Sequence, residues 1–189
     1  MHELIRRTYR AIETGEVSDV ADYIHDDFGN DEAINEPPAA GAGGPRGFAT
    51  TVAWLRTAYS DLSFVEHEFL HHGDRYVSEV TMHGVHTGPL VIRDGATYIV
   101  LPPSGRRFGH HQVHLGRVAD GKVIAHRAVR DDFGLLHQLG YAPPTPRALA
   151  RQLAWAVSGR RRAAIAAFER LEPAIAAPRS AVRSPEATW

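Results

Sequence analysis

The chain contains no cysteine among its 189 residues, so disulfides and a thiol nucleophile are both excluded, and a reducing compartment suits it. It also lacks an excess of either charge. Lys and Arg number 21 against 22 Asp and Glu, for a formal net charge of −1, and no long basic stripe marks a nucleic-acid partner. No apolar run approaches the roughly 20 residues that cross a bilayer, and the opening MHELIRRTYR is too charged for a secretory signal. Gly41-Ala42-Gly43-Gly44 lacks the preceding strand and following helix of a phosphate-binding loop. These absences lead to the expectation of a soluble cytoplasmic protein without nucleic-acid or membrane partners. The 43% of hydrophobic residues supply one core.

Spacing organises what is present. Leu4, Ile5, Tyr9 and Ile12 recur at three- and four-residue intervals and predict an amphipathic helix ending near Gly15. Asp19 can begin a second, short helix carrying Val20, Tyr23, Ile24 and Phe28. The breakers and small residues from Asn30 to Gly47 predict a long loop, either a lid over a pocket or simple slack. Phe48, Val52, Leu55 and Tyr59 mark a further helix. From Leu62 the period changes towards two, with a turn at His72-Gly73-Asp74 and another strand pair from Leu90 to Leu101 around Arg93-Asp94-Gly95. Helices first and antiparallel strands afterwards indicate an α+β fold.

Residues Arg147 to Ala176 are rich in alanine, arginine and leucine and predict two helices broken at Ser158-Gly159. Their stripes, Leu149/Leu153/Val157 and Ile165/Phe168/Leu171, are expected to pack on the core or on a sister subunit. Arg106, Arg107 and the run Arg160 to Arg162 read as solvated surface.

The richest segment is Phe108 to Gly140, FGHHQVHLGRVADGKVIAHRAVRDDFGLLHQLG. Asp120-Gly121 is a two-residue hairpin turn. Regular pairing from that turn sets His114 opposite Arg127, Gln112 opposite Val129 and His110 opposite Asp131. Residues two apart share a face, so these six lie together, and a one-residue bulge would turn one strand's set over. A mostly polar sheet face beneath apolar helices fits a pocket in which Asp131 or His114 moves a proton. The alternative is a solvated face whose residues only make cross-strand pairs. A metal site of His110, His114 and Asp131 is disfavoured, because residues four apart on a strand are separated by about 13 Å. Trp54, Phe48 and Tyr59 read as helix core or pocket wall.

Four pieces, GPRGF at Gly44 to Phe48, SDLSF at Ser60 to Phe64, TMHGVHTG at Thr81 to Gly88, and LPPSGRR followed by DGKVIAH and DDFGLLHQLG, occur in an order that resembles the SnoaL-like polyketide cyclases of the nuclear transport factor 2 superfamily. The resemblance implies a cone-shaped barrel of curved antiparallel sheet packed by N-terminal helices. It divides the chain into a barrel domain over 1–141, a C-terminal helical extension over 142–177 and a flexible tail over 178–189. It implies ring closure of a polyketide-like small molecule by intramolecular aldol chemistry, without cofactor or metal, in a biosynthetic homodimer or homotetramer. Hydroxylases, hydrolases, isomerases and non-catalytic binding modules share the fold. In the family an aspartate shortly before Gly-Leu-Leu is the acid/base, which points to Asp131, with His114 as the assisting histidine. His110, Gln112, Arg127, Trp54, Tyr59 and Phe48 are then candidates to bind substrate. Where the family has a carboxylate and a tryptophan around the last strand's histidine, this chain has Ala125, His126 and Arg127, a departure that implies either an anionic substrate or a different chemistry.

Overall fold

In a computed structural model, which describes residues 1–173, helix α1 (His2–Thr14) buries Ile5, Tyr9 and Ile12 and ends at Gly15 in the left-handed conformation. A 3₁₀ turn at Val20–Asp22 leads into strand β1 (Ile24–Asn30), where a second helix was expected. Ile24 and Phe28 are both buried. A spacing of four residues puts side chains on one face of a helix and also on one face of a strand, so the pattern fits either element.

Two further 3₁₀ turns, Asp31–Asn35 and Pro38–Ala42, occupy the expected loop before helix α2 (Gly44–Ala58). Strands β2 (Tyr59–His72) and β3 (Arg75–His86) then form a hairpin, β4 (Leu90–Asp94) and β5 (Thr97–Leu101) a second, and β6 (Arg107–Ala119) and β7 (Lys122–Arg130) a third. Helices α3 (Asp132–Leu139), α4 (Pro146–Val157) and α5 (Arg160–Glu169) follow. The expected tail over 178–189 lies outside the described residues.

The main sheet has the order β1-β7-β6-β3-β2, with β1 parallel to β7 and the other neighbours antiparallel. The expectation of a cone-shaped barrel of antiparallel strands is therefore corrected to an open, mixed sheet. Its edges are β1 and β2, which do not pair, and the strand formed by Ile24–Asn30 is the parallel member. On β3, Tyr76, Ser78, Val80, Met82 and His86 alternate as buried residues, giving the sheet one covered face. Tyr9 of α1 reaches that face, stacked on Phe64 of β2 and edge-on to His114 of β6.

The second hairpin stands apart from the main sheet. Trp54 of α2 donates Nε1–H to Val91 O at 2.9 Å, and Arg93 donates to Ile34 O at 3.1 Å. Behind it, Tyr98 of β5 meets α5 through Glu169 at 2.7 Å and the Phe168 ring at 6.1 Å. Phe168 is buried, whereas Leu149, Leu153 and Val157 of α4 are exposed at 52, 65 and 78%. Of the two positions expected for the α4 stripe, on the core or on a sister subunit, packing on the core is therefore excluded, and the stripe faces outward.

The glycines before α2 let the chain cross β1 closely. Gly44 has φ of +60°, and a Cβ there would lie 2.7 Å from Asp26 O. Gly44→Ala is expected to lower unfolding free energy by about 2 kcal/mol or more, the sum of backbone strain and overlap. Chemical denaturation of wild type and variant measures the difference, and an unchanged midpoint would contradict this role.

Candidate active site

The β6–β7 hairpin begins in the register set by Asp120-Gly121, with Ala119 opposite Lys122 and Val118 opposite Val123. The next pair is Arg117 with Ala125, so Ile124 is an extra residue in β7. Beyond this bulge His114 lies opposite Ala128 and Gln112 opposite Arg130, which corrects the regular pairing expected from the turn. The β6 face is retained, and the β7 set is turned over. His126 and Arg130 face the covered side with His110, Gln112 and His114, while Arg127 and Val129 face outward and are exposed.

The same shift separates the two aspartates. Asp131 is exposed and caps α3, its Oδ1 accepting from Gly134 N at 2.8 Å. Asp132, the next residue, lines the cavity that Asp131 does not. Its Oδ1 lies 3.3 Å from His110 Nε2 and 3.6 Å from Arg130 Nε.

The cavity, of about 320 Å³, lies between the sheet's covered face, the helices and the second hairpin. Phe48, Trp54, Tyr59, Phe64 and Leu135 give it apolar walls, and Leu90, Ile92 and Ile99 come from the hairpin. Of the residues expected to form the site, His110, Gln112, His114, Trp54, Tyr59 and Phe48 line this cavity, whereas Asp131 and Arg127 do not. Arg127 therefore forms no wall of this cavity, and the arginine that lines it is Arg130.

A continuous row of polar side chains crosses the cavity floor. Asn30 Oδ1 meets His126 Nδ1 at 2.9 Å, and His126 Nε2 meets His114 Nδ1 at 2.8 Å. His114 Nε2 lies 2.8 Å from the Gln112 amide, whose other atom lies 2.9 Å from His110 Nδ1. His110 Nε2 is buried without a hydrogen-bond partner, its nearest polar neighbour being Asp132 at the separation already given. The Tyr9 hydroxyl is likewise buried and unpartnered beside the cavity. Glu36, which accepts from Thr51 Oγ1 and from Asn30 Nδ2, closes the far end. Arg130 is held by Glu32 at 2.6 Å.

Burial sets most of the protonation states here. It holds the His114 imidazole well below its ordinary value, with His126 and Arg130 adding to the effect, and lowers His126 to about 4. Burial raises the Glu36 carboxyl against the hydrogen bond from Thr51. Contact with His110, followed in effect by Arg130, outweighs burial and lowers Asp132. The cavity thus holds one carboxyl pushed down at one end, one pushed up at the other, and between them His114 and His126, both biased towards the neutral form. Such divergence is characteristic of acid/base sites.

Residues 2–139 match the family model described as SnoaL-like polyketide cyclase. The chain belongs to the SnoaL-like polyketide cyclase family. Among its relatives, the aklanonic acid methyl ester cyclase DnrD of Streptomyces peucetius is 37% identical over 145 residues, 76% of this chain and 93% of that protein. The nogalonic acid methyl ester cyclase of Streptomyces nogalater is 35% identical over 131 residues, 69% of this chain and 90% of that protein. Of solved structures, TsrD from Streptomyces laurentii aligns with a TM-score of 0.60 at 23% identity, covering 74% of this chain and 93% of that one. AclR from Streptomyces galilaeus gives 0.57 at 21%, covering 89% and 96%. These two likenesses support the fold alone.

Sequence reasoning missed Asp132, His126, Arg130, Asn30 and Glu36. The hairpin turn announced its own register, but nothing at Val123-Ile124 marks the bulge. The only available sign was that regular pairing placed Val129 inside a polar set.

Three neutral histidines carry a consequence for this polyketide cyclase family member's stability. Burial also lowers His86 to about 4. An unfolded imidazole titrates near 6.5, so between pH 6.5 and 4 the unfolded chain binds protons that folded His86 and His126 do not. Stability is accordingly expected to fall as pH drops through that window. Glu36, raised by burial, works in the opposite direction. The melting temperature measured across this range should decline, and His86→Asn should decline less steeply from a lower start. Equal slopes would show that His86 does not contribute.

Proposed function

We propose that this cyclase closes a ring in a polyketide-derived ester of the kind named for its relatives, by intramolecular aldol addition at the His110–Asp132 end of the cavity. The observation that carries this reading is a buried, unpartnered imidazole nitrogen 3.3 Å from a carboxylate oxygen at one end of a cavity with apolar walls and a polar floor. Phe48, Trp54, Tyr59 and Phe64 offer aromatic walls against which fused planar rings can pack. A carbon flanked by carbonyls is acidic enough to lose a proton to the His110–Asp132 pair. The resulting enolate attacks a second carbonyl of the same molecule, and the new alkoxide takes the proton back. Low dielectric strengthens every hydrogen bond to the enolate, and the Gln112 amide, which contacts His110 at 2.9 Å, lies at that end of the cavity. Leu135 and the hairpin residues exclude water from the intermediate.

The reading fits the polyketide cyclases to which this chain is similar in sequence, and it assigns the proton transfer to the His110–Asp132 pair in place of Asp131. Incubation with aklanonic acid methyl ester and with nogalonic acid methyl ester, followed by product analysis, tests it. The double replacement His110→Asn with Asp132→Ala is expected to lower kcat/KM by about 10²- to 10⁴-fold, the usual loss for a positioned acid/base. Asp131→Ala should leave kcat/KM nearly unchanged and cost about 1 kcal/mol of stability as a lost helix cap. Loss of turnover in Asp131→Ala with a folded protein would restore Asp131 as the reacting group.

A further inference from the structure

The polar row has a direction, and that direction selects one basic atom. Asn30 Oδ1 accepts from the Glu32 backbone N–H at 3.2 Å and its Nδ2 donates to Glu36 at 3.3 Å, so oxygen is the atom that meets His126. An amide oxygen only accepts, and His126 Nδ1 therefore carries a hydrogen. A neutral imidazole has one N–H, which leaves His126 Nε2 bare to accept from His114 Nδ1 at 2.8 Å. His114 Nε2 is then bare in turn and needs a donor from Gln112, 2.8 Å away. The amide supplies it by turning its NH₂ group towards His114, and its oxygen then accepts from His110 Nδ1 at 2.9 Å. Amide oxygen and nitrogen occupy equivalent positions, so the half-turn preserves both separations.

The opposite amide orientation demands a second hydrogen on His126 or His114. Burial and the Arg130 guanidinium oppose that charge on both rings. Five contacts join the six groups from Asn30 to Asp132. One hydrogen on each of the three imidazoles and one from the amide make four. The contact left without one is His110 Nε2 to Asp132 Oδ1, where the nitrogen is buried and unpartnered.

We propose that His110 Nε2, rather than the Asp132 carboxylate, takes the proton from the substrate carbon, and that Asp132 holds the imidazolium so formed. This deepens the cyclase reading above and rests on it. The carbon–hydrogen bond breaks, its electron pair remains as the enolate, and the proton forms an N–H bond at Nε2. The enolate carbon then bonds to the second carbonyl carbon, whose oxygen receives the proton from Nε2, so no co-reactant is consumed. An imidazole is intrinsically a stronger base than a carboxylate by about two pKa units. The arriving proton also completes the one empty contact of the row. The charged and titratable groups around His110 are Asp132 of α3, Arg130 of β7 with its partner Glu32, His114 of β6 and Tyr59 of β2.

The row can be read without substrate, by nitrogen NMR of the histidine-labelled free protein at mildly alkaline pH. His110, His114 and His126 should all be Nδ1–H tautomers, and Asn30→Ala, which removes the anchor, should leave His110 a mixture. An Nε2–H tautomer for His110 in the wild type overturns the proposal. Kinetics divide the pair. Asp132→Ala should lose about 10- to 100-fold in kcat/KM, the value of a hydrogen bond to a charged group, and its acid limb should move to lower pH. His110→Asn should lose about 10²- to 10⁴-fold. A dead Asp132→Ala beside an active His110→Asn with a carboxylate-range limb would return the role to Asp132. Absence of turnover with every ester would sink the cyclase reading, while the tautomers would still decide which nitrogen of His110 is bare.

Discussion

One unpaired residue in β7 decides which side chains this protein places around its cavity. Ile124 has no partner across the β6–β7 hairpin, and because side chains alternate along a strand, a single extra residue exchanges the two faces from that point on. His126 is brought against His114, Arg130 is placed opposite Gln112, and the strand ends so that Asp131 caps a helix while Asp132 reaches the cavity. The parallel pairing of β1 fixes the other end, since Asn30 aligns with His126 in the sheet and also bonds to its ring. Sheet register and side-chain chemistry are thus one constraint expressed twice.

Burying several imidazoles in an apolar cavity is costly unless their nitrogens are satisfied. The row does this internally, each ring serving as the next one's partner. Among the described residues, the buried side-chain polar atoms without partners are Tyr9 Oη, His86 Nε2 and His110 Nε2. Tyr9 and His110 line the cavity, so an incoming ligand meets groups that gain from its arrival. His86 sits elsewhere, its Nδ1 accepting from Ser104 N at 3.3 Å beneath the turn before β6.

Much of this was legible in the sequence because it depends on local chemistry. Gly15 ended α1, His72-Gly73-Asp74 turned β2 into β3, and the polar alternation His110, Gln112, His114 identified one cavity-facing strand. The family motifs pointed to Asp131, the sequence neighbour of the cavity-lining Asp132. What was hidden depends on non-local pairing. Ile24 and Phe28 fit a helix or a strand equally until β7 arrives alongside them, and the barrel expected from the resemblance required an edge pairing that β1 and β2 do not make. Nor does the spacing of Leu149, Leu153 and Val157 reveal that their helix turns that stripe to solvent.

The second hairpin divides labour within the cavity. Leu90, Ile92 and Ile99 form part of its apolar lining but belong to a sheet separate from the one that holds the polar row. The hairpin is braced from behind by α5, which begins at Arg160, well past the family match that ends at residue 139. Length, curvature or side-chain bulk in that hairpin can therefore change the apolar lining without replacing any side chain of the polar row. Selection for a differently shaped ring system has a module to act on that carries none of those side chains, and the added C-terminal helices supply its foundation.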